Sequence, residues 1–236
     1  MSNQLNQFHR QLSIGREALN ERFRSGSPRV LRAGQLLIAG AQPSDALYRL
    51  RGGWAYRFRR LSDGSLAIVD VYLPGDIIGL DTAWHNKEAE NVRTLTTSGL
   101  EVVAAEQGVW GLISPPQVAL YISYLFNERQ QRSDRILASI SLLDSRGRMA
   151  AMLLDFYQRL TAQKLITALS FNLPLTQHQI GSFLGMTVVH VNRVLRALRD
   201  AEVVIVEKHY VTILDLSHLA ALAKEDVKTV SSAASG

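Results

Sequence analysis

Two consecutive prolines, Pro115-Pro116, divide the 236-residue sequence into two textures. Before them, from Pro28 to Leu112, short apolar runs alternate with glycine-bearing turns: RVLRAGQLLIAG, ALYRLRGGWAYRFRR, SLAIVDVYLPGDIIGL and GLEVVAAEQGVWGLI. Arg51-Gly52-Gly53, Asp63-Gly64, Pro74-Gly75-Asp76 and Ser98-Gly99 have the chemistry of turns. Their frequency predicts many short antiparallel strands closed into a sandwich or barrel. Trp54, Tyr56 and Phe58 alternate with Ala55, Arg57 and Arg59, the period of a half-buried strand. Leu66 to Tyr72 follows the Ser62–Ser65 turn and completes a hairpin with it.

After the prolines, QVALYISYLFNERQQRSDRILASISLL runs 27 residues without glycine or proline. That exceeds the usual length of a globular helix. Val118, Ile122, Leu125, Ile136, Ile140 and Leu143 recur at close to a 3.5 spacing, with a polar middle from Asn127 to Asp134. The spacing alone fits two arrangements equally. One is a surface helix packed on the β domain. The other is an inter-subunit coiled coil whose polar centre fixes register. At the other end, Ile14, Ala18, Leu19 and Phe23 give residues 1–24 a helical spacing, as a packing helix or a loose arm.

Composition narrows the function. A hydrophobic fraction of 47% excludes a wholly disordered chain. No 18-residue apolar run predicts a membrane span, and MSNQLNQFHRQ lacks a signal-peptide pattern. A cytoplasmic protein with no membrane partner is expected. The absence of cysteine removes disulfides, thiolate zinc sites, cysteine-held iron–sulfur clusters and thiol nucleophiles. A net charge of +5 favours polyanionic partners. The histidines show no metal spacing, and His85, beside Trp84, reads as a solvated loop residue. Arg51-Gly52-Gly53 is a hairpin turn, not a phosphate loop, and no nucleophile–base–acid set can be assembled. A metal-holding β-barrel enzyme would need histidines within 28–112, where only His85 occurs. No cofactor, no metal and no enzymatic activity are expected.

The chemistry concentrates near the C-terminal end. Arg148 to Ala162 reads as a helix. Thr176-Gln177-His178-Gln179 resembles a capping box that starts a short helix through Ile180 and Phe183 to Leu184. Gly185 ends it, and Thr187 caps a second helix from Val188 to about Asp200. Two apolar β runs, Val203–Val206 and Val211–Leu214, flank Glu207-Lys208-His209-Tyr210 as a hairpin. This is a winged helix-turn-helix order, in which the second helix enters the major groove. Ile180, Leu184, Val191, Val194, Leu195 and Leu198 fall where the two helices pack. Val188, Val189, Asn192, Arg193 and Arg196 fall outside, with His190 in the first turn. Arg193 can donate bidentately to guanine, Asn192 can pair with adenine, and valine methyls can meet a thymine methyl. Thr176, Gln177, Thr187 and Lys208 suit the phosphate backbone. The competing reading, a protein-interaction or ligand-binding module without DNA readout, leaves this helix idle.

At this point LPLTQHQIGSFLGMTVVHVNRVLRALRDAEVVIVEKHYVTILD resembles the helix-turn-helix of the cyclic AMP receptor protein and fumarate–nitrate reduction (Crp/Fnr) regulators, in order and spacing. RMAAMLLDFYQRL is similar to the helix before it in that family. YLPGDIIGLD looks like the family's entry into the effector cassette. The resemblance covers nearly the whole chain. It implies an α+β architecture: an arm at 1–24, a cyclic-nucleotide-binding-like β-roll (jelly roll) at 25–114, a dimerisation helix at 115–144, a winged helix-turn-helix at 145–222 and a disordered tail at 223–236. It also implies a homodimer on a pseudo-palindromic operator of double-stranded DNA, an RNA polymerase contact if the protein activates, and room for an unknown small-molecule effector. In the dimer helix it points to Val118, Ile122, Leu125, Arg129, Arg132, Ile136 and Ile140.

Two departures from the family pattern stand out. Where members often carry glutamate and a small hydroxyl residue ahead of the arginine, Val189 and His190 precede Arg193. Valine cannot accept from cytosine N4 as glutamate can, so a different half-site is expected. In the effector cassette Gly79 is kept, but the ribose-holding glutamate falls on Leu80, before Asp81. The phosphate-holding arginine falls on Glu90 and its hydroxyl neighbour on Asn91. A carboxylate facing a phosphate is repulsive. Arg93-Thr94 could substitute only with a three-residue slip. Control by neither cyclic AMP nor an iron–sulfur cluster is expected.

Overall fold

The computed structural model describes residues 2–40, 46–80, 91–104 and 114–224. In chain order they form α1 (Ser2–Arg24), β1 (Ser27–Leu31), β2 (Leu36–Ile38), β3 (Ala46–Gly52), β4 (Ala55–Arg60), β5 (Leu66–Tyr72), β6 (Ile77–Ile78), β7 (Asn91–Thr94) and β8 (Ser98–Ala104). Then come α2 (Pro116–Leu142), α3 (Ser145–Ala162), β9 (Ser170–Asn172), α4 (Gln177–Leu184), α5 (Val188–Asp200), β10 (Val204–Glu207), β11 (Tyr210–Ile213) and α6 (Leu216–Ala223). Two compact units result: Met1–Arg57 with Pro74–Arg132, and Phe58–Leu73 with Ser133–Gly236. Among the described residues no helix is long and apolar enough to cross a membrane.

In the first unit a four-stranded sheet has the order β1-β8-β3-β6 with antiparallel pairings. Beside it in sequence, β2 pairs antiparallel with β7, and β7 neighbours β4. Both faces of β3 are covered: Leu47, Tyr48 and Leu50 are buried, as is Leu100 of β8, while Arg51 near the strand's end is exposed. The core gathers Leu19 and Phe23 of α1, Leu47, Leu80, and Val118 and Ile122 of α2. α1 and α2 meet closely at Gly15, where a Cβ would stand 1.9 Å from the Gln117 carbonyl oxygen. Arg49 closes this core. Its Nε donates to Glu101 at 2.6 Å, its Nη1 donates to Asn20 at 2.5 Å, and its guanidinium carbon lies 5.0 Å from the centre of the Phe23 ring.

This packing corrects part of the expected dimer face. Val118 is fully buried and Ile122 nearly so, within the chain's own core, and Leu125 packs against the same cluster. Val118 and Ile122 are taken by the chain's own core, so they are not available to a second subunit, whereas Leu125 is half-buried. Arg129, Arg132, Ile136 and Ile140 continue that side of the helix and are half-buried. The opposite side, with Tyr124, Asn127, Gln131, Ala138 and Leu142, is exposed.

The expected effector residues are corrected in a similar way. Leu80 belongs to the core cluster. Asn91 accepts from the Gly40 N–H through Oδ1 at 3.0 Å. Thr94 is buried, donates to the Arg32 carbonyl at 2.7 Å and accepts from the Gln35 N–H at 3.1 Å. Asn91 and Thr94 hold loops of their own scaffold, and Leu80 fills its core. Gly79 is buried with φ +98°, and Arg93 is half-buried. Asp81 and Glu90, with Trp84 and His85, lie outside the described residues.

In the second unit, Asp144 caps α3 by accepting from the Gly147 N–H at 2.8 Å. Met149, Leu153, Leu154 and Phe156 of α3 are buried. β9, β11 and β10 form a sheet in the order β10-β11-β9, all antiparallel. α6, capped by Asp215, packs on α3, where a Cβ on Gly147 would stand 2.9 Å from the Leu222 carbonyl. β5 also belongs here: the Ser182 hydroxyl of α4 donates to the Leu66 carbonyl at 2.6 Å and accepts from the Ile68 N–H at 3.1 Å.

Phe23→Ala should lower stability by about 3–5 kcal/mol, because it empties a fully buried aromatic site. Urea denaturation of the variant measures this, and a loss below about 1 kcal/mol would mean that α1 is not needed for the core.

Candidate nucleic-acid interface

α4 begins with a reciprocal cap. The Gln179 N–H donates to Thr176 Oγ1 at 3.2 Å, and the Thr176 N–H donates to Gln179 Oε1 at 2.8 Å. It ends at Gly185, whose left-handed φ of +66° strains other residues but not glycine. The turn closes with the Met186 N–H donating to the Gly181 carbonyl at 2.8 Å. Gly181 is needed for a second reason: a Cβ there would stand 2.5 Å from the Met186 oxygen. Thr187 then caps α5 by accepting from the His190 N–H at 3.2 Å.

This turn directs the side chains. Ile180, Phe183, Leu184, Val191, Val194 and Leu198 are buried between the helices, and Leu195 is half-buried. The Phe183 ring stacks on Phe156 of α3, with centroids 6.4 Å apart. Val188, Asn192, Arg193 and Arg196 are exposed, and Val189 is exposed to 70%. They follow helical spacing along one side of α5. His190 is half-buried. Arg193 and Arg196 form no ion pair among the described residues, whereas Arg199 lies 3.8 Å from Asp200. The stripe therefore carries two uncompensated guanidinium groups and no carboxylate.

Thr176, Gln177 and Thr187 are exposed at the two helix starts, on the same α4–α5 element. Lys208 sits apart, at the tip of the β10–β11 hairpin. That tip is a two-residue turn in which Lys208 and His209 both have positive φ, 49° and 66°. It joins Glu207 to Tyr210, which pair directly.

Two contacts had no signal in the sequence. Ser182 fastens α4 to β5, whose partner atoms lie more than a hundred residues away. Asn192 Nδ2 donates to Gln177 Oε1 at 2.7 Å and to the Val188 carbonyl at 3.2 Å. Within the chain, the amide nitrogen through which Asn192 would pair with adenine thus already has two acceptors.

Comparison with known proteins places both halves. The Crp-like helix-turn-helix domain profile matches residues 147–222, and the cyclic nucleotide-binding domain profile matches residues 28–108. The chain is 27% identical over 193 residues to the transcriptional regulatory protein btr of Bordetella pertussis, covering 82% of this chain and 79% of that protein. It is 26% identical over 215 residues to the transcriptional activator protein Anr of Pseudomonas protegens, covering 90% and 86%. The fold matches the structure of FixK2 from Bradyrhizobium japonicum with a TM-score of 0.73 at 19% identity, covering 84% of this chain and 96% of that one. With the β-sheet unit, the long helix and the winged helix-turn-helix in the order these proteins share, the chain belongs to the Crp/Fnr family of DNA-binding transcription regulators.

Proposed function

We propose that this regulator acts as a cytoplasmic homodimer that reads a pseudo-palindromic operator, with α5 of each copy in successive major grooves. The observation that carries the reading is the exposed stripe Val188–Val189–Asn192–Arg193–Arg196, which holds two uncompensated guanidiniums on a helix whose other side is buried. A fork-shaped donor such as Arg193 matches guanine O6 and N7. Val188 and Val189 offer methyl groups at thymine height without a competing acceptor. Thr176, Gln177 and Thr187 line the backbone side, and Lys208 on the wing meets a neighbouring phosphate. Two-fold symmetry with half-sites about one helical turn apart follows from pairing two such units. The exposed side of α2, from Tyr124 through Gln131 to Leu142, supplies the surface for the second copy. Where the regulator activates, RNA polymerase is the further partner.

The same reading holds that cyclic AMP is not the signal. Leu80, at the position of the ribose-holding carboxylate, is an apolar side chain inside the core, and Thr94 has its hydroxyl committed to the backbone. Any effector is a small molecule of different chemistry, and it acts by favouring one arrangement of the DNA-binding units over another.

Arg193→Ala should weaken operator binding by about 1–3 kcal/mol and relax preference at one G·C position. Mobility-shift titrations on the operator and on random DNA measure both, and equal losses on the two DNAs would remove Arg193 from the bases. Titration calorimetry with cyclic AMP should give no heat of binding at micromolar concentrations. A micromolar dissociation constant would overturn the assignment of the cassette.

A further inference from the structure

We infer that Asn192 reads the groove through its carbonyl oxygen alone, and that Gln177 imposes this on it. The inference rests on α5 being the helix that enters the groove, and it adds which base that helix selects.

The argument starts from a chemical constraint. The Val188 carbonyl can only accept, so the atom of Asn192 that faces it at 3.2 Å must be the amide nitrogen. This fixes which way the Asn192 amide points. Its other N–H donates to Gln177 Oε1 at 2.7 Å. Both Nδ2 protons are then used, one on its own helix and one across the turn to the first residue of α4. Oδ1 is the atom left to the groove, and the residue is exposed.

That changes what Asn192 recognises. The adenine pairing of an asparagine needs one proton for N7 and one acceptor for the N6 amino group. With the nitrogen occupied, only the acceptor remains. An acceptor is met by an exocyclic amino group, which adenine carries at N6 and cytosine at N4. Guanine and thymine present O6 and O4 there, which repel it. Asn192 Oδ1 is also the only acceptor on the stripe, because Val188 and Val189 are apolar and Arg193 and Arg196 only donate. The acceptor absent at Val189 is supplied one turn further along the helix.

Gln177 is a positioning residue in this scheme. Its carbonyl is taken by Asn192, so its own amide protons point away from that bond.

Selection of operators from a library of randomised half-sites, using the full chain, tests the inference. The wild type should show one position per half-site where A and C are accepted within about threefold of each other and G and T are disfavoured about tenfold. Asn192→Ala should flatten that position and leave the guanine read by Arg193 intact. Gln177→Leu frees one amide proton, so A should rise about tenfold over C at the same position. Both residues are exposed, so folding should survive either change. The inference is overturned if the wild type demands A over C, if it prefers G or T, if Asn192→Ala flattens nothing, or if Gln177→Leu leaves the ratio of A to C unchanged. A selection in which the Arg193 guanine is present but the Asn192 position fails sinks this inference alone. A selection with no preferred half-site, unaffected by Arg193→Ala, sinks the groove reading and this one with it.

Discussion

The approach of Gly181 to the Met186 carbonyl sets the geometry on which the DNA-facing surface depends. With a would-be Cβ 2.5 Å from that oxygen, only glycine lets α4 close onto the turn. The left-handed Gly185 then redirects the chain within one residue. Once the angle between α4 and α5 is set, Val191, Val194 and Leu198 must face inward, and the remaining side chains face out. This explains how α5 tolerates β-branched residues in its first turn. Its helicity is stabilised by the Thr187 cap and by burial of one side against α4, not by intrinsic propensity. Stiff valines can then be placed where short side chains against a groove are useful.

A second constraint governs α2. A helix side can be buried against one neighbour, and in the first unit that neighbour is α1. The near contact at Gly15 brings the two backbones together, and Phe23, Val118 and Ile122 fill the space below. The apolar spacing from Val118 onward is therefore an intrachain signal. The side left exposed is polar at Asn127 and Gln131 and apolar at Tyr124 and Leu142, a mixture that hydrophobic spacing does not single out.

What the sequence made legible followed local chemistry. Glycine turns marked the strands, Pro115-Pro116 marked the start of α2, and Thr176, Gly185 and Thr187 marked both helices of the helix-turn-helix. Each of these acts within four residues of itself. The parts that escaped depend on distant partners. β9 is three residues long with only Phe171 buried, and it exists because β11 pairs with it. α6 is a short, alanine-rich helix held by its packing on α3. In α2, periodicity reports that a side is apolar, not what covers it. The family pattern points to Leu80 and Thr94 as pocket residues, whereas burial and hydrogen bonding commit them to the scaffold.

Ser182 shows what such distant contacts add. Its hydroxyl donates to Leu66 O and accepts from Ile68 N, two groups on the same strand. Arg159 of α3 donates to Val71 O further along β5 at 3.0 Å. A slip of α4 along β5 by one residue would leave Leu66 O and Ile68 N unpaired, at a cost of about 1–3 kcal/mol for each one that stays buried. A hydroxyl used in both directions thus fixes register as well as proximity. Complete separation lets water satisfy the same groups, so it is less costly per group than a partial slide. α4, held in this register, also carries Gln177, which accepts from the Asn192 amide.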